Sequence, residues 1–460
     1  MSETGTKNRV LAITAIASFM AAFDALVVTT ALSNIRADLN ASIEALEWIV
    51  NAYNLCFAVL LLTGAALGDR FGRRRMFRAG LALFIAASAA CALSENAGQL
   101  IAARAVQGAG AALIMPLAMA LLSAAFPREE RGKALGIFGS ITGLALIVGP
   151  VIGGAIAAGL AWPWIFWLNL PVGIATLWLA RRIPESRGEA AFDFGGLALA
   201  SLAALGVAWA LMRANVVGWS DLVVSVPLAI GIVLGLAFIA HQRRIATPMV
   251  PMRLFALRGF AAGNAASFFF YAAMYGVVFF LPQYLAALGS DALGAGLRLL
   301  PWTATLFVFA PVGGALVNKV GERPLVVAGV LMQAFGFAWI AFEASALSYP
   351  HLIGPLLIAG AGVSLAMPAA QNAVLSAVAP ADIGKASGVF NMLRYLGGTF
   401  GIAVQGVAFA ACGGFGAFGS GFTAAISVAA ALSLGGALAA LALPGRRTAF
   451  TTEPQLQPGE

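Results

Sequence analysis

The chain has 460 residues, 61% of them hydrophobic and only 10% charged, with a formal net charge of +8. Soluble domains carry roughly 25% charged residues, so a water-facing globule is excluded, and a mean hydropathy of +0.92 makes lipid the solvent. Lipid leaves every backbone amide to be satisfied within its own helix or a closed barrel; a barrel alternates apolar and polar residues, these runs do not, and the fold class expected is an all-α polytopic membrane protein.

In chain order, the short polar start at 1–9 leads into an apolar run too long for a signal-peptide core, so the first span is expected to stay. A crossing needs about 20 apolar residues. Fourteen runs qualify, at 10–33, 48–68, 77–95, 99–123, 133–158, 162–180, 194–212, 221–240, 259–285, 296–317, 324–343, 351–373, 386–411 and 421–443. Of the 27 Lys and Arg, Arg36, Arg213 and Arg298 fall on one set of alternate loops, and Arg104 and Arg394 fall inside spans. All the others lie on the loops that share the N-terminal side. That asymmetry predicts both termini in the cytoplasm of a multi-pass cell-membrane protein, and it makes the net charge a topology signal rather than a nucleic-acid one. Trp48, Trp162, Trp164 and Trp219 fall near predicted outer helix ends and read as interface anchors. Cys56, Cys91 and Cys412 show no pairing or metal spacing and read as packing residues.

Ionisable groups inside spans are costly and are functional candidates by default. Asp24 falls about 14 residues into the first span, ~21 Å deep at 1.5 Å per residue. Arg104 falls about five residues from the outer end of the fourth, at a similar depth in a core of ~30 Å. Burial and a neighbouring guanidinium act on a carboxyl's proton affinity in opposite directions, so such a pair can load or release a proton. The alternative for Asp24 is a static ion pair or a helix-capping carboxylate.

The loop between the second and third spans reads Gly64-Ala-Ala-Leu-Gly68-Asp69-Arg70-Phe-Gly72-Arg73-Arg74-Arg75. Its glycines permit a tight turn, and Asp69 beside the arginines suits charge-assisted contacts that hold one face of a transporter shut; a plain positive-inside anchor is the alternative. The fifth span carries Gly149, Pro150, Gly153 and Gly154, small residues that let helices approach closely, with a proline that bends the helix. Tyr271, Tyr275 and Phe268–Phe270 offer an aromatic wall for flat lipophilic molecules. Asn391 and Arg394 share a helix face at i, i+3, where Arg394 either lines a cavity or stabilises a carbonyl.

The chain also repeats itself. Gly64–Gly72 matches Gly313–Gly321, Met115-Pro116 matches Met367-Pro368, and Gly132–Phe138 matches Gly384–Phe390. Two six-helix halves follow, at 1–185 and 258–445, with spans 7 and 8 inserted at 186–257 and a cytoplasmic tail at 446–460. Parallel halves of this kind build many secondary transporters. The Gly-Lys pairs at 132–133 and 384–385 lack the rest of a phosphate-binding loop, so ATP is not the expected fuel. No zinc spacing, nucleophile elbow or dinucleotide fingerprint appears, and an enzyme is not expected.

The 64–75 loop, with its weaker second copy at Asn318–Arg323, resembles the signature of the major facilitator superfamily. Phe23-Asp24-Ala-Leu-Val-Val-Thr-Thr, Arg104-Ala-Val-Gln107-Gly108-Ala-Gly110, Gly149-Pro150-Val-Ile-Gly153-Gly154 and the stretch Trp164–Gly173 narrow the resemblance to the fourteen-span drug:H+ antiporter-2 family. The resemblance implies a major facilitator fold, two six-helix bundles plus two inserted helices. It also implies a proton-coupled secondary transporter that exports lipophilic or cationic drugs by alternating access, with no cofactor and with the proton gradient as energy source. On that resemblance Asp24 and Arg104 couple protons. Gly68, Asp69, Arg70, Gly72 and Arg73 form a conformational gate, and Gly149, Pro150, Gly153 and Gly154 are the antiporter motif. The substrate cavity is expected to draw on Gln107, Tyr271, Tyr275, Asn391 and Arg394. A dedicated exporter of one metabolite or antibiotic, and an uncoupled channel, remain as alternatives. The partners implied are a small-molecule substrate, protons and the bilayer, with no nucleic acid and no metal.

Overall fold

The computed structural model describes residues 3–187, 193–246, 248–343, 349–379 and 382–445. The expected tail at 446–460 lies outside the described residues. The first half is built from α1 (Glu3–Leu39), α2 (Ile43–Phe71), α3 (Arg73–Ala92), α4 (Ala97–Ala125), α5 (Arg128–Gly159), and the short α6 (Trp164–Trp167) and α7 (Asn169–Leu179). Next come α8 (Phe194–Val217) and α9 (Leu222–Arg244). The second half holds α10 (Arg258–Ala287), α11 (Ala292–Arg298), α12 (Leu300–Thr303), α13 (Thr305–Val320), α14 (Glu322–Glu343), α15 (Pro350–Leu375), α16 (Ile383–Ala411) and α17 (Phe418–Leu441).

Twelve helices among the described residues are long and apolar enough to cross a membrane. The expected count was fourteen, and the difference has physical causes. The sixth expected span is divided at Leu168 into α6 and α7, where Pro171 has no amide hydrogen to donate to the Trp167 carbonyl one turn back, so neither piece is long enough. The thirteenth, α16, is 29 residues long but carries Lys385, Arg394 and Gln405, which dilute its apolarity. The tenth span is also interrupted: Pro301 sits in the first turn of α12, and α11, α12 and α13 follow one another in short pieces.

Close packing rests on glycines where two backbones meet. A β-carbon on Gly108 of α4 would overlap the Tyr53 carbonyl of α2, and one on Gly64 of α2 would overlap the Ala112 carbonyl of α4. The turn from α2 into α3 passes through Gly72 at φ 107°, and the matching turn from α13 into α14 passes through Gly321 at φ 86°. Both dihedrals lie where side-chain-bearing residues are strained, so the two copies of the sequence repeat make the same bend.

The halves meet along three seams: α2 against α16, α5 against α11, and α1 against α10. Two of these seams include contacts near the ends opposite the arginine-rich α2–α3 turn, at what is here termed the distal face; the face holding that turn is the basic face. Gly154 of α5 abuts the Ala292 carbonyl of α11, and Gly406 of α16 abuts Glu47 of α2; beside these seams, Arg36 of α1 lies over the ring of Phe415, in the loop after α16, at 3.4 Å. The inserted α8 packs on both α2 and α16, one helix of each half, while α9 packs chiefly on α8. Arg213 of α8 pairs with Glu44 of α2 at 3.0 Å. Asp193 caps α8 through the Gly196 amide at 2.7 Å and also receives His241 at 2.8 Å and Gln242 at 2.5 Å from α9. The inserted pair is thus clasped by a buried carboxylate. Burial pushes the Asp193 carboxyl up, but the Gly196 amide, His241 and Gln242 outweigh it and hold it below the usual carboxylate range.

Candidate transport site

Asp24 lies midway along α1 and is fully buried. α4 turns Arg104 and Gln107, one turn apart, onto the face that meets it. Arg104 Nη1 donates to Asp24 Oδ2 and, at 2.6 Å, to Gln107 Oε1, while its Nε donates to the Ile49 carbonyl at 3.2 Å. Gln107 Nε2 donates to Asp24 Oδ1 at 2.9 Å and lies 2.7 Å from Ser88 Oγ of α3. Asn169, the first residue of α7, donates to the same Oδ1 at 2.7 Å. The guanidinium rests over the Tyr53 ring at 4.3 Å, and the Tyr53 hydroxyl donates to the Ala21 carbonyl at 2.9 Å. A buried ion pair holds only where further hydrogen bonds satisfy both partners, and here α2, α4 and α7 supply them.

Sequence reasoning reached Asp24 and Arg104 but missed Asn169 and Ser88. Asn169 is the one amide in the apolar run 164–173, a legible signal of a polar group that needs a partner in lipid. Gln107, expected at the substrate cavity, belongs instead to this network and is fully buried.

An apolar cavity lies between the halves, lined by Leu26, Thr29, Pro150, Met274, Val278 and Trp302 among others. Tyr271 and Tyr275 do not line it. They form a stripe on α10 whose centre is offset by about 60° around the helix from that of Met274 and Val278, at 3.6 residues per turn, and both are buried. Their rings gather with that of Tyr395 about Arg394, whose guanidinium is 4.7 Å from the Tyr271 centroid and 5.3 Å from that of Tyr395. Cation–π attraction thus turns the tyrosines toward the arginine and away from the cavity. Asn391 donates to the Ser387 carbonyl of its own helix at 2.9 Å. None of Tyr271, Tyr275, Asn391 and Arg394 contributes to the lining of this cavity, and the stripe of α10 that does was not singled out in the sequence.

The residues expected as the antiporter motif pack α5 against its neighbours, and one of them reaches the cavity. Gly149 and Gly153 of α5 face Leu26, Val27 and Thr30 of α1, Gly154 faces α11 of the other half, and Pro150 lines the cavity. α5 continues as a helix through Pro150.

At the basic face, a β-carbon on Gly68 would overlap Leu117 of α4, and one on Gly72 would come within 2.9 Å of the Glu185 carboxyl. Asp69 accepts from Arg73 Nε at 2.7 Å. Glu185 accepts from the Arg74 amide at 2.9 Å, and the Arg73 amide donates to the Ser186 carbonyl at 2.9 Å. Arg70 is exposed. All these partners lie in the first half or just beyond it, so the five residues expected to form a gate are gathered at one turn, while the contacts binding the halves include the distal ones. Trp164 and Trp219 are exposed, as anchors would be, but Trp162 is 4% exposed and donates to Asp38 at 2.7 Å.

Two helical halves about a central cavity, a buried acid–base network in one of them and membrane-length helices throughout define a multi-pass membrane transporter. The sequence model described as Major Facilitator Superfamily matches residues 14–402 and again 264–456. The cephamycin export protein CmcT of Amycolatopsis lactamdurans is 36% identical over 88% of this chain and 85% of its own. The multidrug transporter protein MdtP of Bacillus subtilis is 32% identical over 88% and 76%. Among solved structures, a D-xylose-proton symporter superposes with a TM-score of 0.69 at 17% identity, covering 95% of this chain and 97% of that one. The POT family transporter PepTSo superposes with a TM-score of 0.72 at 13% identity, covering 94% and 97%. These two likenesses are of fold. The chain belongs to the Major Facilitator Superfamily. It is a transporter of small molecules and not an enzyme, and the family works without a cofactor.

Proposed function

We propose that the protein exports lipophilic small molecules in exchange for protons, by alternating access of the central cavity to the two sides of the membrane. The observation that carries this reading is Asp24, fully buried at mid-helix and tied to Arg104, Gln107 and Asn169. Protonating Asp24 removes the charge that holds Arg104, so a proton and a shift of α1 against α4 are exchanged for one another. The cavity begins beside this network, since Leu26 and Thr29 of α1 lie within two turns of Asp24 and line it. Its largely apolar lining suits a lipophilic ligand. The relatives named as multidrug and cephamycin exporters support the direction of transport.

In this reading the basic face is cytoplasmic, both termini lie there, and the chain crosses fourteen times, with the divided α6–α7 segment and α16 as the two further crossings. The units are 1–185, 186–257, 258–445 and a tail at 446–460. The loop of Gly68, Asp69, Arg70, Gly72 and Arg73 closes the cytoplasmic side when the distal seams part. The proton gradient, not ATP, is the energy source. A dedicated exporter of one antibiotic is the second reading, favoured by the relative named for cephamycin export.

The test is efflux of a fluorescent lipophilic cation from proteoliposomes under an imposed pH gradient. Gradient-dependent efflux that is lost in Asp24→Asn is expected. Wild-type efflux indifferent to the gradient contradicts the coupling, and efflux confined to a single antibiotic selects the second reading.

A further inference from the structure

The α2–α16 seam buries a carboxylate that plays no part in the Asp24 network. Glu47 sits about one turn inside α2, ~6 Å from its first residue. It is 1% exposed, and both of its oxygens lack a hydrogen-bond partner. Asn51, one turn further on the same face, is 0% exposed and equally unpartnered at its oxygen and nitrogen. Across the seam lies Gly406 of α16, where any β-carbon would overlap Glu47 Oε1. The carboxyl group of one half therefore rests directly on the backbone of the other.

The charged groups around it are engaged elsewhere. Glu44, on the same helix, is paired with Arg213 of α8. Arg36 of α1 lies over Phe415, and Arg104 of α4 is held by Asp24 and the Ile49 carbonyl. α3 brings only the thiol Cys91 to this depth, and that contacts Gln107. At the end of α16 the exposed Cys412 thiol lies six residues beyond Gly406, ~9 Å along the helix, and carries no positive charge; the next titratable groups on α16, Arg394 and Tyr395, are more than ten residues away, ~17 Å along it. No cation meets Glu47, and an ionised carboxylate buried without partner or hydrogen bond is far too costly to persist. The closed seam therefore accommodates Glu47 as the neutral acid.

We propose that Glu47 is a second proton-binding site of the carrier, loaded from the outer medium as the distal face closes. The inference rests on the proton-exchange reading above. When the halves part at the distal face, the seam opens and Glu47 meets water as a carboxylate. A proton from that water binds one carboxylate oxygen, forming the O–H bond, and the uncharged group returns against Gly406. On reopening the proton leaves to water again. Proton uptake and closure are thus linked: acid outside favours the carrier with its cavity turned to the cytoplasm, ready for the next substrate. Asp24 is held by Arg104 and two amides in this closed state, whereas Glu47 has nothing but its proton.

The test uses the full chain in proteoliposomes, with Cys56, Cys91 and Cys412 replaced by alanine and spin labels at Glu95→Cys and Ser420→Cys, one on the distal side of each half. In the wild-type background the distance distribution is expected to shift toward the short, closed population as the pH falls. Glu47→Gln is expected to remain closed at every pH, and Glu47→Asp, which keeps a titrating group, to restore the response. A Glu47→Gln protein that titrates like wild type, or a wild type whose distances ignore pH, overturns the proposal. Gradient-driven efflux measured on the same liposomes reports on the export reading separately, because the distance measurement needs no substrate.

Discussion

At the residue scale, the Asp24–Arg104 pair behaves as a unit. Removing one partner of a buried ion pair leaves an uncompensated charge and costs about 3–5 kcal/mol. Arg104→Leu is therefore expected to lower the melting temperature in detergent steeply. Adding Asp24→Asn should recover much of that loss, a positive coupling that a double-mutant cycle measures; additive losses would mean that the two side chains do not depend on each other. The same logic explains what the sequence made visible here. An Asp and an Arg in apolar runs stand out by charge alone, and their common depth follows from counting residues. Asn169 and Ser88 are uncharged, so only the assembled network gives them a role. Glu47 was hidden by a boundary: the second run, read from residue 48, begins at Ile43 as a helix, and a carboxylate assigned to a loop lies inside the bundle. The error arises because Ile43–Trp48 carries two glutamates in six residues yet is covered by α16 and α8, a burial that apolar run length does not register.

At the element scale, glycines carry the seams and polar caps carry the inserted pair. Gly154→Val would drive a side chain into the Ala292 carbonyl and is expected to cost about 1–3 kcal/mol through overpacking. Thiol labelling at distal positions should rise as α5 and α11 are forced apart; unchanged labelling would mean that this seam is not a closure contact. The Asp193 clasp gives a pH signature. Its carboxyl is held below the usual range, so its contribution to stability is present above the ordinary carboxylate value of about 3.9 and is lost as the pH falls through the lowered one. Asp193→Ala is expected to cost about 1 kcal/mol through the lost cap and to remove that acid-side loss, read by thermal melts across pH. Most helices were legible from run length, and the α2–α3 and α13–α14 turns from their glycines. The divisions at α6–α7 and α11–α13 were not, because interruption of an apolar segment depends on what packs beside it. Likewise the tyrosines of α10 suit a cavity wall by composition, whereas in the fold they gather about Arg394 on α16, and Met274 and Val278 face the ligand space.

At the scale of the whole molecule, the internal repeat becomes two helical halves, and each half has a different task. The first holds the acid–base network, the second contributes much of the cavity, and α8 lies across both. In the described state the halves are joined by distal contacts such as Gly154 against Ala292 and Arg36 over Phe415, while the basic-face turn is tied within its own half through Asp69, Arg73 and Glu185. That arrangement is the one expected of a carrier closed on its distal side. For proton-driven export, substrate and proton must move in opposite directions through this one molecule. Proton flux itself is the measurement to make: proteoliposomes containing a trapped pH-sensitive dye, with an imposed gradient of a lipophilic substrate and no initial pH difference. Proton movement opposite to the substrate, dependent on it and abolished in Asp24→Asn, is expected; substrate movement with no proton movement in the wild type would exclude the exchange.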